Sequence, residues 1–317
     1  MRILITGVTG FAGGHLAEAL LAQGGHRLVG VARRSVWPQP WSHLASQVEL
    51  HECDVCAREA LEKILHAVQP ERIFHVAGYP YVGRSFHEAE AAWQGNLTAT
   101  RSLYDAVTRW GGRPRILFVG SGLVYGESAT NADGCTETDL LLPDNPYAAS
   151  KASADLSSYQ YARYPGLDIV RARPFNHIGR RQSPQFAVSS FARQLVAIER
   201  GRQAPILETG NLQPCRDLTD VRDVVAAYVL LMERGRSGEA YNVGSGQCYA
   251  MQTVLERLIA LAGVAVEVRQ KADRLRATDA AIVRANAGKL RRETGWSPRF
   301  NLDQTLTDIL TYWREQS

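Results

Sequence analysis

Tyr147 and Lys151 stand four residues apart in Asn145-Pro146-Tyr147-Ala148-Ala149-Ser150-Lys151. On a helix, that spacing puts a phenol and an ammonium on one face. A free phenol titrates near ~10, too high for easy proton exchange at neutral pH. A neighbouring ammonium favours the phenolate and lowers that value. The pair therefore predicts a general acid/base with Tyr147 as the proton-moving group. Upstream, Ser121 follows the apolar run Arg115–Val119. A hydroxyl just beyond a strand's carboxyl end stands where ligands of open α/β sheets bind. Ser121, Tyr147 and Lys151 are the candidate catalytic set.

A second constellation opens the chain: Gly7-Val8-Thr9-Gly10-Phe11-Ala12-Gly13, directly after the β-rich run Arg2–Thr6. Glycines in GxxGxxG permit a tight turn and close backbone approach to a pyrophosphate. The following helix N-terminus adds amide donors and a positive dipole end. Strand, glycines and amphipathic helix together predict a dinucleotide site at Gly7, Gly10, Phe11, Ala12 and Gly13. An NAD site needs an acid at the end of the second strand. Here that strand ends Val31-Ala32-Arg33-Arg34. Two guanidinium groups stand where a 2′-phosphate would sit, which favours NADP(H); NAD(H) stays open. Asp54 is suited either to the adenine amine or to capping a helix. YxxxK alone is common on protein surfaces. Glycine loop, strand-end Ser and YxxxK in this order are specific.

The elements that must position these groups alternate. Strands are predicted over Arg2–Thr6, His26–Ala32, Val48–Cys53, Arg72–Val76, Arg115–Val119 and Asp168–Ala172. Leu16, Ala17, Leu20 and Leu21 mark one intervening helix, and Leu61, Ile64, Leu65 and Val68 another. A long helix is expected over Ala89–Trp110, closed by Gly111-Gly112. A further helix starts at Pro146. This alternation predicts an α/β fold with a doubly wound parallel Rossmann sheet. After Pro174 the pattern changes. Helices at Phe186–Arg200, Val221–Met232, Met251–Leu261 and Asp303–Trp313 surround strand-like Ala204–Leu207 and Tyr241–Val243. The division expected is a cofactor domain over 1–174, rejoined at about 212–247. A smaller mixed α/β C-terminal substrate lobe spans 175–211 and 248–317.

Composition bounds the class. The chain has 317 residues, 45% hydrophobic and 21% charged, with a formal charge of +4. That balance suits a globular protein with a buried core and argues against disorder. Without a dense basic tract, no nucleic-acid partner is expected. No apolar run approaches the ~20 residues of a membrane helix, and no signal-peptide layout precedes the glycines, so no membrane partner and a cytoplasmic location are expected. Cys53, Cys56, Cys135, Cys215 and Cys248 are read as ordinary thiols. Cys53-Asp54-Val55-Cys56 lacks the second pair or histidine of a zinc set, so no metal is expected.

These residues resemble the extended short-chain dehydrogenase/reductase family over essentially the whole chain, from Gly7 to Gly295-Trp296-Ser297-Pro298. The resemblance implies a Rossmann domain, a nucleotide-sugar lobe, a Ser–Tyr–Lys triad and a homodimer built on a helix bundle that includes the Tyr147 helix. It also implies cofactor contacts at Val55, Ala77 and Pro174. Arg173-Pro174-Phe175-Asn176-His177-Ile178-Gly179, Gly210-Asn211-Leu212, Arg216–Asp223 and Arg274–Asp279 are similar to the GDP-sugar branch. That branch holds GDP-mannose 4,6-dehydratases and GDP-4-keto-6-deoxy-D-mannose reductases, which form GDP-rhamnose. By this resemblance Asn176, Arg216 and Arg276 hold a diphosphate and Asp279 a ribose. Arginine's bidentate fork suits the former role.

Dehydratases of the branch carry Glu two residues after the strand-end Ser/Thr. Leu123 stands there and cannot move a proton. Gly78-Tyr79-Pro80-Tyr81-Val82 and Ser190-Phe191-Ala192-Arg193-Gln194 resemble the reductases, adding Tyr81 and Arg193 as substrate candidates. The resemblance thus implies NADPH-dependent reduction of a 4-keto-6-deoxy nucleotide sugar. A 4-epimerase with bound NAD(H), a 4,6-dehydratase and a non-catalytic NADP-sensing module are the alternatives. Three positions depart from the reductase pattern. Arg180-Arg181 replace Pro-Gly, which suggests added phosphate contacts or a different sugar. Leu123 replaces an acid. Gly14 replaces a larger residue and is expected only to loosen the helix start.

Overall fold

A computed structural model describes residues 1–126, 133–272 and 281–316. Along the chain run β1 (Arg2–Thr6), α1 (Phe11–Gln23), β2 (Arg27–Ala32), β3 (Glu49–Glu52), α2 (Arg58–Val68), β4 (Arg72–His75), α3 (Val82–Ser85), α4 (Ala89–Trp93), α5 (Ala99–Trp110), β5 (Arg115–Val119), α6 (Pro146–Arg163) and β6 (Ile169–Pro174). Next come β7 (His177–Ile178), α7 (Ala187–Glu199), β8 (Ile206–Thr209), β9 (Cys215–Asp217), β10 (Thr219–Asp220), α8 (Val221–Arg234) and β11 (Ala240–Val243). The chain closes with β12 (Cys248–Ala250), α9 (Met251–Ala262), β13 (Glu267–Gln270), β14 (Ile282–Val283), α10 (Gly288–Thr294) and α11 (Leu302–Glu315).

The main sheet has seven strands in the order β11-β6-β5-β4-β1-β2-β3, and all pair in parallel. Its central strands β1, β4 and β5 are largely apolar runs because both faces are covered, whereas the edge strand β3, Glu49–Glu52, is polar and partly exposed. On one face Leu16 and Leu20 of α1 pack with Val224 and Tyr228 of α8. On the other, Leu61 and Leu65 of α2 pack with Leu103, Tyr104 and Val107 of α5. Each fully buried Leu contributes about 1.5–3 kcal/mol to this sandwich. A separate apolar cluster joins Phe191 and Leu195 of α7, Leu255 and Leu258 of α9, and Leu306 and Ile309 of α11. Short strands border it: β13 pairs with β8, and β9 lies between β12 and β14.

Two expectations are corrected here. The single helix over Ala89–Trp110 is broken: a π turn, Gln94–Thr98, separates α4 from α5. Gly111, at φ 79°, ends α5. The cysteines are not all thiols. Cys215 and Cys248 form a disulfide, their Cα atoms 5.6 Å apart. Antiparallel pairing sets Cys248 opposite Asp217 and Ala250 opposite Cys215, so the two cysteines are brought together only by the fold. Cys53, Cys56 and Cys135 are free.

Candidate active site

Strand order reverses about β1, which lies between β2 and β4, and there the carboxyl ends of β1 and β4 open a crevice. Gly7 turns the chain out of β1 at φ 71°, and a Cβ on it would sit 2.8 Å from the Ala77 backbone. A Cβ on Gly13 would fall 2.2 Å from the Gly7 carbonyl oxygen. Only glycine permits either contact. Gly10 caps α1 without a side-chain hydrogen bond, and no acid lies in the first turn. The first-turn amides and positive helix end are thus left to an anion. Arg33 and Arg34 are exposed beyond β2. Val55 is buried, and Pro174 ends β6 opposite Val243. Asp54 does not cap α2, whose N-cap is Ala57. Its carboxylate instead accepts from the Cys56 amide at 2.9 Å.

The triad converges at the carboxyl end of β5. Asn145 caps α6 by accepting from the Ala148 amide at 2.9 Å, and Pro146 occupies the first turn. One turn of helix then carries Tyr147 to Lys151. Lys151 is buried, and its Nζ donates to the Val119 carbonyl at 3.0 Å. Ser121 is also buried, and its hydroxyl lies close enough to the Tyr147 phenol to favour the phenolate. Ser121 Oγ further accepts from the Leu123 amide at 3.2 Å, which fixes its direction.

Burial decides the protonation states. It pushes the Tyr147 phenol above its ordinary value, with the nearby Ser121 hydroxyl pulling the other way. It pulls the Lys151 ammonium down to about 8. The expected lowering of the phenol by Lys151 is therefore corrected: desolvation outweighs any effect of the ammonium. A phenol held in its neutral form at pH 7 is suited to donating a proton.

Asn96 was missed by the sequence reading. It is buried in the π turn before α5, a distortion frequent at functional sites. Its Oδ1 accepts from the Tyr79 amide at 2.9 Å, and its Nδ2 donates to Ser150 Oγ at 2.9 Å. A Cβ on Gly78 would lie 2.7 Å from Asn96 Oδ1 and 3.0 Å from Lys151 Nζ. Asn96, Gly78 and Lys151 are therefore one packed unit. No periodicity signal marks a π turn, since the apolar stripe continues through it.

The substrate candidates fall at different places. Tyr81 stacks on Phe186 at 6.0 Å, with the Arg84 guanidinium 4.9 Å from its ring centre. Asn176 follows β6, and its buried Oδ1 has no partner. Arg216 on β9 is buried, and its Nη1 donates to the Cys215 carbonyl at 2.9 Å. Arg193 is exposed on α7 and lines a pocket with Gln194, Ala197, Arg202, Gln203, Trp313 and Gln316, which holds no triad residue. Arg276 and Asp279 lie outside the described residues.

The departures at 14, 180 and 181 each make contacts within the protein. Arg180 pairs with Glu315 of α11 at 2.6 Å. Arg181 Nη1 reaches both Glu18 carboxylate oxygens, at 2.8 and 2.9 Å. Both guanidinium groups pair with protein carboxylates. Gly14 does more than loosen α1, because a Cβ there would lie 2.4 Å from the Trp41 indole.

The comparisons with known proteins agree with this geometry. The family model described as GDP-mannose 4,6 dehydratase matches residues 4–309. A GDP-6-deoxy-D-mannose reductase of Pseudomonas aeruginosa is 34% identical over 99% of this chain and 98% of its own. The solved structure of RMD from Pseudomonas aeruginosa complexed with NADPH superposes with a TM-score of 0.86 at 33% identity, covering 100% of this chain and 99% of that one. A UDP-glucose 4-epimerase of Thermotoga maritima with UDP-glucose gives 0.89 at 26% identity, with 100% and 99% coverage. With a glycine loop at the sheet's switch point, a Ser–Tyr–Lys cluster beside it and a family match across nearly the whole length, the chain belongs to the GDP-mannose 4,6-dehydratase family of extended short-chain dehydrogenase/reductases.

Proposed function

We propose that this protein reduces a 4-keto-6-deoxy nucleotide sugar with NADPH, most specifically GDP-4-keto-6-deoxy-D-mannose to GDP-D-rhamnose, a reading supported by its likeness to a GDP-6-deoxy-D-mannose reductase and to RMD complexed with NADPH. The observation that carries this reading is the burial of the Tyr147 phenol against Ser121 beside the dinucleotide crevice. The crevice suits the cofactor. Gly7, Gly10, Phe11, Ala12 and Gly13 form a cradle that a Cβ would fill, at an uncapped helix N-terminus. Arg33 and Arg34 would meet the 2′-phosphate, Asp54, Val55 and Ala77 the adenosine side, and Pro174 the nicotinamide side. Bound there, NADPH supplies a hydride, and hence both electrons, to the sugar's C4.

The chain's own residues do the rest. Ser121 orients the 4-keto oxygen by hydrogen bonding. Tyr147 gives that oxygen its phenolic proton, so that the carbonyl becomes an alcohol. Lys151 stabilises the phenolate left behind until solvent returns the proton. Leu123 offers no group to take the C5 proton, which disfavours dehydration. Tyr81, Asn176, Arg193, Arg216, Arg276 and Asp279 are the proposed substrate contacts. Among these, Asn176 carries an unpartnered buried oxygen. The lobe built on α7, α9 and α11 would close over the sugar nucleotide, with 1–174 and the returning α8 and β11 as the cofactor domain. Leu156, Tyr159 and Tyr164, exposed on and after α6, support a homodimer through that helix. Light scattering that finds only monomer would reject this last point.

The deciding experiment mixes purified protein, NADPH and 4-keto-6-deoxy sugars carrying GDP, UDP or dTDP. Loss of the reduced-nicotinamide absorbance with the GDP sugar is expected, and Tyr147→Phe should abolish it while sparing NADPH binding. Silence across the panel, with interconversion of UDP- or GDP-hexoses, would replace the reductase by an epimerase.

A further inference from the structure

Among the described residues, Arg181 and Gln69 are the non-glycine positions with positive φ, and Arg181 stands at φ 68°. A β-carbon is disfavoured in that left-handed region, so something must hold it there. Its guanidinium makes two contacts. One is the pair of short bonds to Glu18 on α1. The other is a cation–π contact over the Trp41 indole, 4.6 Å from its centre.

The surroundings make this a built assembly. Trp41 is buried, and it reaches α1 only because Gly14 lacks a side chain. His15 stands edge-on to both Trp41 (5.0 Å) and Phe11 (5.4 Å), and its Nε2 lies 3.1 Å from the Arg180 carbonyl oxygen. Phe11, within the glycine loop, lies parallel to His177 at 5.9 Å. Glu18 also bonds His43 at 2.8 Å. Burial would raise the Glu18 carboxyl, but hydrogen bonds from His15 and His43 and the Arg181 charge hold it at about 2. The carboxylate is thus ionised at every working pH. The strap 177–182 and helix α1 meet through charge, ring and backbone contacts at once.

We propose that Arg181 is a positioning residue: it latches the strap leading into the second lobe onto α1, and so sets how firmly the glycine loop grips its dinucleotide. The latch acts through α1 and the Phe11–His177 stack, not by touching the ligand. The claim about grip rests on the cofactor reading given above; the claim about the strap does not.

Two variants test it. Arg181→Gly removes the side chain and relieves the backbone, and Glu18→Gln removes only the carboxylate charge. Hydrogen exchange of the ligand-free protein should accelerate about tenfold or more at amides of 11–18 and 177–182 in both variants, with the α2–α5 face unchanged. The Kd and KM for NADPH should rise about three- to thirtyfold while kcat stays within about twofold. The double variant should fall short of the sum of the two single effects, because both remove the Arg181–Glu18 contact. Unchanged exchange at 177–182 overturns the latch. Faster exchange with an unaltered NADPH Kd overturns its role in grip. If the parent protein fails to bind NADPH, the cofactor reading falls, and the exchange data alone still decide the latch.

Discussion

Asp155 lies one helical turn beyond Lys151 and is fully buried. Its Oδ1 accepts from Arg171 Nη1 at 2.5 Å and Arg173 Nη2 at 2.8 Å, and its Oδ2 from Arg173 Nε at 3.0 Å. Arg173 also donates to the Tyr125 hydroxyl at 2.9 Å, and that hydroxyl to Asn242 Oδ1 at 2.7 Å. Burial alone would raise the Asp155 carboxyl, but Arg173 and Arg171 hold it below its ordinary value. Asp155→Asn keeps the shape and removes the charge, leaving two guanidinium groups with no buried anion between them. Breaking such a pair costs about 3–5 kcal/mol, against a total stability of about 5–15 kcal/mol. At the lower size-scaled sensitivity of about 2 °C per kcal/mol, the melting temperature should fall by roughly 6–10 °C. Thermal unfolding followed by circular dichroism measures this. The control is Asp168→Asn, which removes a half-exposed partner of Arg115 and should cost under about 1 kcal/mol. Because the folded Asp155 carboxyl lies below its unfolded value, its contribution is present above the unfolded value and lost as pH falls through the folded one. A melt of Asp155→Asn within about 2 °C of the parent would refute this account of the buried triad.

Three further outcomes are expected. Lys151, pulled down to about 8 by burial, should lose its proton above that pH, so kcat should fall on an alkaline limb centred near it. Lys151→Arg should move that limb upward, and a flat profile to pH 10 in the parent would contradict the role. The folding sign is opposite: between about 8 and the unfolded value near 10.5 the unfolded chain binds the extra proton, so this group makes stability rise with pH through that window. Arg33→Ala with Arg34→Ala should weaken NADPH at least about tenfold and leave NADH unchanged, as measured by nicotinamide fluorescence; equal losses for both would remove these residues from 2′-phosphate recognition. Gly14→Ala should destabilise by about 1–3 kcal/mol through its clash with Trp41, despite alanine's helix preference of about 1 kcal/mol. A rise in melting temperature would show that the indole gives way freely.

Most strands of the main sheet were legible because they are short apolar runs bounded by turn residues. The glycine loop and the Tyr147–Lys151 helix were legible because their chemistry is local, needing seven residues or fewer in a row. What escaped was long-range. Arg181 meets Glu18 163 residues away, and no pattern in Ile178-Gly179-Arg180-Arg181 announces a partner on α1. Cys215 and Cys248 are 33 residues apart, joined by a pairing that short strands do not advertise. The Tyr147 phenol was misjudged because spacing reveals a neighbouring charge but not the desolvation that outweighs it. The π turn at Gln94–Thr98 hid inside an unbroken amphipathic stripe.

The main sheet is completed late. β11, its outermost strand, is drawn from Ala240–Val243 and pairs with β6, while α8 covers the sheet beside α1. During synthesis, residues 1–174 would emerge with the β6 edge open and with Arg171, Arg173 and Asp155 lacking their cover. An unpaired edge of that kind invites association with other chains. The proposed catalytic Ser121, Tyr147 and Lys151 are all made by then, yet the wall behind them waits for residues that follow a whole excursion through β7 to β10. Cutting this chain after its first six sheet strands would therefore yield no minimal enzyme, only a sticky sheet one strand short.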